Sequence, residues 1–346
     1  MKKVAVIGHF AFGKEYLDGQ TVKTKVLTDM LCHRFGAEAV VKLDTHGWHR
    51  KPISFLRQVL STAKEVKHVV ILPAHNGLKV FVPLLSAFQK RSGYHLHYAV
   101  VGGWLPKIIQ NKAFLQNCLK KFHGIYVETN TMKDALEEMG FSNVELMLNC
   151  KDLQILKPEQ LPEARKPYKL CTFSRVQQEK GMEDAICAIR AVNEARGETV
   201  YTLDIYGPVD PNQTQWFEEL QTNFPEYVSY KGAVPFDQSV AVLKDYFALL
   251  FPTRYFTEGV PGTIIDAYAA GVPVISAKWE SFADVVDDGR TGYGYEFGSH
   301  EAFYTMLEQI AQEPNRINHL RKNCLVKAYD FTPERALKVL IDKLEG

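Results

Sequence analysis

The 346-residue chain has no apolar run of eighteen residues, no Cys-x-x-Cys pair, no low-complexity segment and almost no net charge. Each absence excludes something. Without a long apolar run, nothing in the sequence reads as a membrane-spanning helix. Its six cysteines (Cys32, Cys118, Cys150, Cys171, Cys187 and Cys324) lie far apart, with no histidine at metal-ligand spacing. That excludes a disulfide framework and a zinc site, and leaves small buried apolar residues in a reducing compartment. The opening Met-Lys-Lys-Val-Ala-Val-Ile-Gly keeps its apolar character only to Gly8, and no small-residue cleavage site follows. It reads as a first β-strand rather than a signal peptide.

The near-neutral total conceals a division. Residues 1–160 carry 22 Lys and Arg against 13 Asp and Glu, whereas 161–346 carry 19 against 27. The basic half suits an anionic acceptor or surface, and a phospholipid leaflet is one candidate.

Short β-branched runs alternate with helix-period segments along most of the chain. Strands are expected at 3–8, 38–43, 67–72, 96–101, 123–127 and 143–147, then at 168–174, 201–206, 227–231, 247–251 and 272–276. Helices are expected between them, including 21–35, 107–121, 180–195, 262–270 and 332–344. Such alternation predicts parallel sheets covered on both faces. The polar, proline-rich stretch around 150–167 reads as a linker. The fold class is therefore α/β, with two doubly wound, Rossmann-like domains facing a cleft. The expected domains are 1–160, 161–330 and a C-terminal helix, 331–346, packing back on the first.

In such folds ligands sit beyond the carboxyl ends of strands. The loop after the first strand, Gly8 to Glu15, matches Gly-x-x-x-x-Gly-Lys, but Glu15 stands where a phosphate-binding P-loop needs Ser or Thr. Helical periodicity also begins only near Thr21, so Gly19 is the better candidate for close approach to a diphosphate at a helix entry. After the first strand of the second half, Arg175 and Lys180 straddle a turn and offer a planar fork and a point charge for a diphosphate; a solvated face is the alternative. The longest signal is Phe251-Pro-Thr-Arg-Tyr-Phe-Thr-Glu258-Gly-Val-Pro-Gly262-Thr263-Ile-Ile-Asp266. A buried strand there runs into a glycine-marked helix start, an anion site, with two acids suited to hydroxyl groups.

Taken in order, Ser174-Arg175-(x4)-Lys180-Gly181, Gly207, Gly232-Ala-Val, Glu258 to Asp266, Ala269-Ala-Gly-Val-Pro-Val-Ile-Ser and Asp288-Gly-Arg-Thr-Gly-Tyr resemble the nucleotide-sugar-binding half of retaining glycosyltransferases of family 4, with the GT-B fold. The first half resembles a subgroup of that family through Asp18-Gly19-Gln-Thr-Val-Lys-Thr and Val101-Gly-Gly-Trp-Leu-Pro106. This resemblance implies transfer of a sugar, with retention, from a nucleotide-sugar, expected to be a UDP-sugar. The acceptor would be a saccharide or a polyprenyl-diphosphate-linked saccharide, in cell-surface polysaccharide synthesis. It assigns the diphosphate to Arg175 and Lys180, donor-sugar hydroxyls to Glu258, phosphate to the backbone at Gly262 and Thr263, ribose to Asp266, the base to the backbone near Val234, and an approach from the first half to Gly19. Arg175, Lys180 and Glu258 would form the catalytic set.

Two departures stand out. The second acid of the family pattern is usually Glu, and here it is Asp266. The histidine that many members carry after the fourth strand is replaced by Gly102-Gly103-Trp104. With no Asp-x-Asp in the chain, no metal and no other cofactor is expected. The chain is placed in the cytoplasm, with a possible peripheral contact on an anionic inner membrane face through Lys107, Lys112, Lys120 and Lys121; no nucleic acid partner is expected. Three alternatives stay open: a sugar-nucleotide epimerase of GT-B fold, a P-loop-type nucleotide-binding protein, and a nucleotide-sugar-binding module without turnover.

Overall fold

The computed structural model describes residues 3–14, 18–163 and 165–346, so Glu15 lies outside the described residues. Two compact units form: Met1–Asp152 with Phe331–Gly346, and Leu153–Asp330.

In the first unit the expected runs become β1 (Val4–Gly8), β2 (Val40–Asp44), β3 (His68–Ile71), β4 (His95–Ala99), β5 (Gly124–Val127) and β6 (Val144–Leu146). They pair in the order β2-β1-β3-β4-β5-β6, every pair parallel. Each residue of β1, β3 and β5 is buried, as expected of strands covered on both faces. One layer packs Val59, Phe81, Leu85, Leu115 and Leu136 against the sheet. The opposite layer joins Leu27 and Leu31 of the Gly19–Phe35 helix to Leu337, Leu340 and Leu344 near the C-terminus. The chain steps outward from β1 to β2, then crosses back to β3, so the connections diverge between β1 and β3.

The second unit holds β7 (Tyr168–Phe173), β8 (Tyr201–Tyr206), β9 (Val228–Gly232), β10 (Ala248–Phe251), β11 (Val274–Ala277) and β12 (Gly292–Tyr295). Their order is β12-β11-β10-β7-β8-β9, again all parallel. Here the connections diverge between β7 and β10.

Four expectations change. The Gly292-Tyr-Gly-Tyr segment forms a strand, not only a turn; a Cβ on Gly292 would lie 2.2 Å from Val274 O, so the pairing itself requires glycine. The expected 107–121 helix is two, Leu105–Ile109 and Ala113–Leu119. At the break Gln116 Nε2 donates to Ile109 O and Gln110 O, at 2.9 and 3.0 Å. Segment 332–344 likewise divides into Pro333–Ala336 and Lys338–Glu345. Finally, the boundary falls after Asp152 rather than residue 160. Leu156 N–H donates to Ala269 O at 2.9 Å, tying that stretch to the second unit.

Candidate functional site

In the second unit, β7 and β10 end side by side and their loops interlock. Gly181 closes the loop after β7 in the left-handed region, at φ 72°. A Cβ there would lie 1.9 Å from Pro252 O, so only glycine allows this loop to touch the chain leaving β10. Arg254 N–H adds a bond to Glu179 O at 2.8 Å. Its guanidinium also grips Asp184, at 2.6 and 2.9 Å, in a forked pair. Gly207, just after β8, permits a similar close approach. Its φ is 131°, and a Cβ would lie 1.9 Å from Ser174 O.

The consequence is that Lys180 and Glu258, far apart in sequence, form a direct ion pair. Glu258 Oε1 also accepts from Thr253 Oγ1 at 3.1 Å. Lys180 Nζ lies 5.2 Å from the Tyr255 ring centroid and 5.5 Å from that of Phe251. Both charged side chains keep 17% of their surface exposed, enough to be reached from solvent. Glu258 precedes the Gly262–Ala269 helix, whose first turn has no side-chain cap and no acid. Ile264 N–H turns back to Pro261 O at 3.0 Å, whereas Gly262 and Thr263 head the helix, where no preceding turn supplies an acceptor for their N–H groups. Thr263 Oγ1 is buried there without a hydrogen bond.

Of the other expected residues, Arg175 is half-exposed and lies 3.7 Å from Asp210, not in the Lys180–Glu258 pair. Asp266 is 3% exposed. It is therefore not on a solvated face, and burial sets it apart from the accessible Glu258. Val234 is half-buried just beyond β9. Gly19 belongs to the first unit and begins the Gly19–Phe35 helix, capped by Asp18, whose Oδ1 accepts from Thr21 N–H at 3.1 Å. A Cβ at Gly19 would meet no heavy atom within 4 Å, so open space rather than crowding surrounds it.

The P-loop alternative fails on geometry. Amides that would cradle phosphate after β1 are already taken: Phe10, Ala11 and Phe12 N–H donate to the Asp44 carboxylate at 2.9, 3.1 and 3.1 Å. Burial raises the Asp44 pKa, but those bonds and one from His46 N–H outweigh it, and the net shift is downward. Lys14 reaches His46 at 3.2 Å, and the helix starts only at Gly19.

The first unit has a cavity of ≈ 440 Å³ at the carboxyl ends of its strands, lined by Trp48, His75, Trp104 and others. On the Gly19–Phe35 helix Lys23 is fully buried, paired with Glu128 at 2.6 Å and donating to Val100 O at 2.8 Å. Sequence reasoning missed this pair, together with Thr253, Arg254 and His75. No periodicity signals a lysine whose partner lies 105 residues away. Among the described residues no group of three or more His, Cys, Asp or Glu could hold a metal.

With two parallel six-stranded sheets and covering helices, the fold is GT-B. Residues 167–313 match the family model described as Glycosyl transferases group 1. In structure the chain is similar to Anabaena HepE, solved with UDP and glucose, at TM-score 0.74 and 14% identity with 100% of each chain covered. It is also similar to sucrose-phosphate synthase of Thermosynechococcus elongatus, at TM-score 0.78 and 13% identity, covering 100% of this chain and 98% of the other. In sequence it is 25% identical over 162 residues to the putative colanic acid biosynthesis glycosyltransferase WcaL of Salmonella typhimurium. That match spans 44% of this chain and 37% of the relative.

Proposed function

We propose that the chain is a glycosyltransferase that moves a hexosyl group, with retention, from a UDP-sugar to a saccharide acceptor in polysaccharide synthesis. The observation that carries this reading is the Lys180–Glu258 pair where β7 and β10 diverge, inside the stretch that matches the family model. A cation for the leaving diphosphate and an acid for sugar hydroxyls stand at the position where doubly wound sheets bind nucleotides. HepE, with UDP and glucose bound, favours the UDP-sugar; WcaL, named for colanic acid biosynthesis, favours a polysaccharide product.

In this reading Arg175 leaves Asp210 and, with Lys180, takes the diphosphate. The amides of Gly262 and Thr263 face its phosphate oxygens, Asp266 serves the ribose and the chain at Val234 the base. Charge that develops on the leaving group is absorbed by groups already in place, an electrostatic mode of catalysis. The acceptor hydroxyl attacks the face the diphosphate leaves and passes its proton to a departing phosphate oxygen. No metal is needed because Arg175, Lys180 and the helix amides supply the positive charge; activity persisting in a chelator is the expected outcome.

The acceptor is a saccharide or a lipid-linked saccharide, met by a chain working in the cytoplasm at the inner membrane face. Support for membrane contact is narrower than a continuous amphipathic helix would give. Ile109 and Leu115 are buried in the core, whereas Phe114, 71% exposed, stands among lysines. Binding to anionic vesicles that weakens with salt supports that contact; indifference to lipid charge removes it. The decisive variant is Glu258→Ala, expected to abolish transfer while UDP still binds. Transfer at the unaltered rate would end the assignment of Glu258 to the donor sugar.

A further inference from the structure

The loop after β8, from Gly207 to Gln213, supplies no group to the donor, yet it holds the loop that carries Arg175 and Lys180. Val176 N–H donates to Pro208 O at 2.9 Å and Asp210 N–H to Val176 O at 3.0 Å, so the two loops run as a short parallel pair. The Asp210 carboxylate faces Arg175 at 3.7 Å.

Gln213 reaches furthest. Lys180 closes a single 3₁₀ turn, Gln178–Lys180, and the residue before that turn, Gln177, offers it no side-chain cap. N–H groups at the start of a helical turn have no partner within it. Gln213, 35 residues on from Gln178, supplies one: its Oε1 accepts from Gln178 N–H at 2.7 Å. Its Nε2 donates to Glu179 Oε2 at 3.0 Å, and that bond holds the Glu179 carboxyl below its usual pKa. Only one orientation of the amide satisfies both neighbours. The flipped form would set its oxygen against the carboxylate and its NH₂ against the Gln178 N–H.

The clamp is itself anchored. Gln213 N–H donates to Asp210 O at 2.9 Å, and Gln213 directly precedes the Thr214–Gln221 helix, whose Phe217 is buried in the core of the second unit. Across the turn, Arg254 N–H holds Glu179 O at 2.8 Å. The turn bearing Lys180 is thus gripped from the β8 loop and from the β10 loop. Lysine carries its charge on a flexible four-carbon stem. A fixed main chain at its base narrows the space the ammonium searches once Glu258 releases it.

We infer that Gln213 is a positioning residue of the transfer reaction: it fixes the turn that presents Lys180 to the leaving diphosphate, and acts on the donor only through that lysine. The inference rests on the glycosyltransferase reading for the identity of the donor. Gln213→Glu keeps an acceptor for Gln178 N–H but sets a second carboxylate against Glu179. Combining it with Glu179→Gln restores an amide facing a carboxylate.

The test measures UDP affinity of the full chain by calorimetry, with the melting temperature of each variant taken alongside. Gln213→Ala is expected to weaken UDP binding about fivefold and Gln213→Glu about tenfold, the yield of one or two lost hydrogen-bonding partners. The exchanged pair, Gln213→Glu with Glu179→Gln, should return to within about twofold of the parent, a recovery that depends on the bond rather than on either side chain. In a Lys180→Ala background, Gln213→Ala should change UDP affinity by less than about twofold, because the residue it serves is gone. Equal losses with and without Lys180, no recovery in the exchanged pair, or undiminished UDP binding by Gln213→Ala would each overturn the inference. Failure of the unaltered chain to bind UDP or any UDP-sugar would instead overturn the glycosyltransferase reading.

Discussion

At the scale of single residues, two ion pairs with different surroundings do different things. Lys180 and Glu258 pair where solvent still reaches them, so a ligand can part them. Replacing Glu258 by Gln leaves Lys180 without its carboxylate. UDP affinity measured by calorimetry is then expected to rise by several-fold, about 1 kcal/mol, while transfer is lost. Unchanged or weaker UDP binding would mean that Lys180 does not serve the diphosphate. Lys23 and Glu128 pair at 0% and 2% exposure, where no ligand replaces either. Lys23→Met strands the Glu128 carboxylate, and about 3–5 kcal/mol of stability should disappear in urea unfolding. The double variant Lys23→Met with Glu128→Gln should recover much of that loss. A single variant as stable as the parent would show that the clamp on Val100 is dispensable. Arg175, Lys180 and Glu258 were legible because each stands in a loop just after a strand. Lys23 was not, because a lysine on a helix reads as solvated until tertiary packing covers it.

Elements bring those residues together, and glycines decide how closely. Gly181→Ala forces a Cβ into Pro252 O at 1.9 Å, in a left-handed conformation. A loss of about 1–3 kcal/mol is expected, together with weaker UDP binding, because Lys180 precedes it directly. Equal stability of that variant would show that the two loops separate freely. A second element-scale feature joins neighbouring strands β3, β4 and β5. His68 Nδ1 and His97 Nε2 are 3.1 Å apart, and His97 Nδ1 lies 2.9 Å from the Tyr126 hydroxyl. Burial, reinforced by neighbouring histidines and lysines, lowers the pKa of His68 to about 4 and of His97 to about 3. Both folded values lie below the ordinary 6.5, so the unfolded chain takes up protons first as pH falls. Their contribution to stability is full above about pH 6.5 and is lost progressively toward pH 4 and 3. Melting temperatures from pH 7.5 to 4.5 should therefore fall, and His68→Gln with His97→Phe should flatten the slope. A slope unaffected by that pair would clear these rings of the effect.

For the molecule as a whole, the chain completes its first unit last. After Asp330 it returns, and Leu337, Leu340 and Leu344 are fully buried beside Leu27 and Leu31. Leu340→Ala is expected to cost about 2–5 kcal/mol, and hydrogen exchange should rise in the Gly19–Phe35 helix rather than in the second unit. Exchange confined to residues 331–346 would deny them a place in that core. The alternation of β-branched runs and helical periods determined the fold class, because a strand covered on both faces must be apolar throughout its length. Turn chemistry likewise determined which loops carry Arg175, Lys180, Glu258 and Gly262. Sequence periodicity did not reveal β12, whose glycines resemble a turn until Val274 lies against Gly292. Only the tertiary structure decided that Asp44, not phosphate, takes the amides after β1, that Lys180 meets Glu258, and that Trp48, His75 and Trp104 line one cavity. Local pattern records what each residue needs from water or core; which distant residue supplies it depends on strand order, which the packed sheets alone establish.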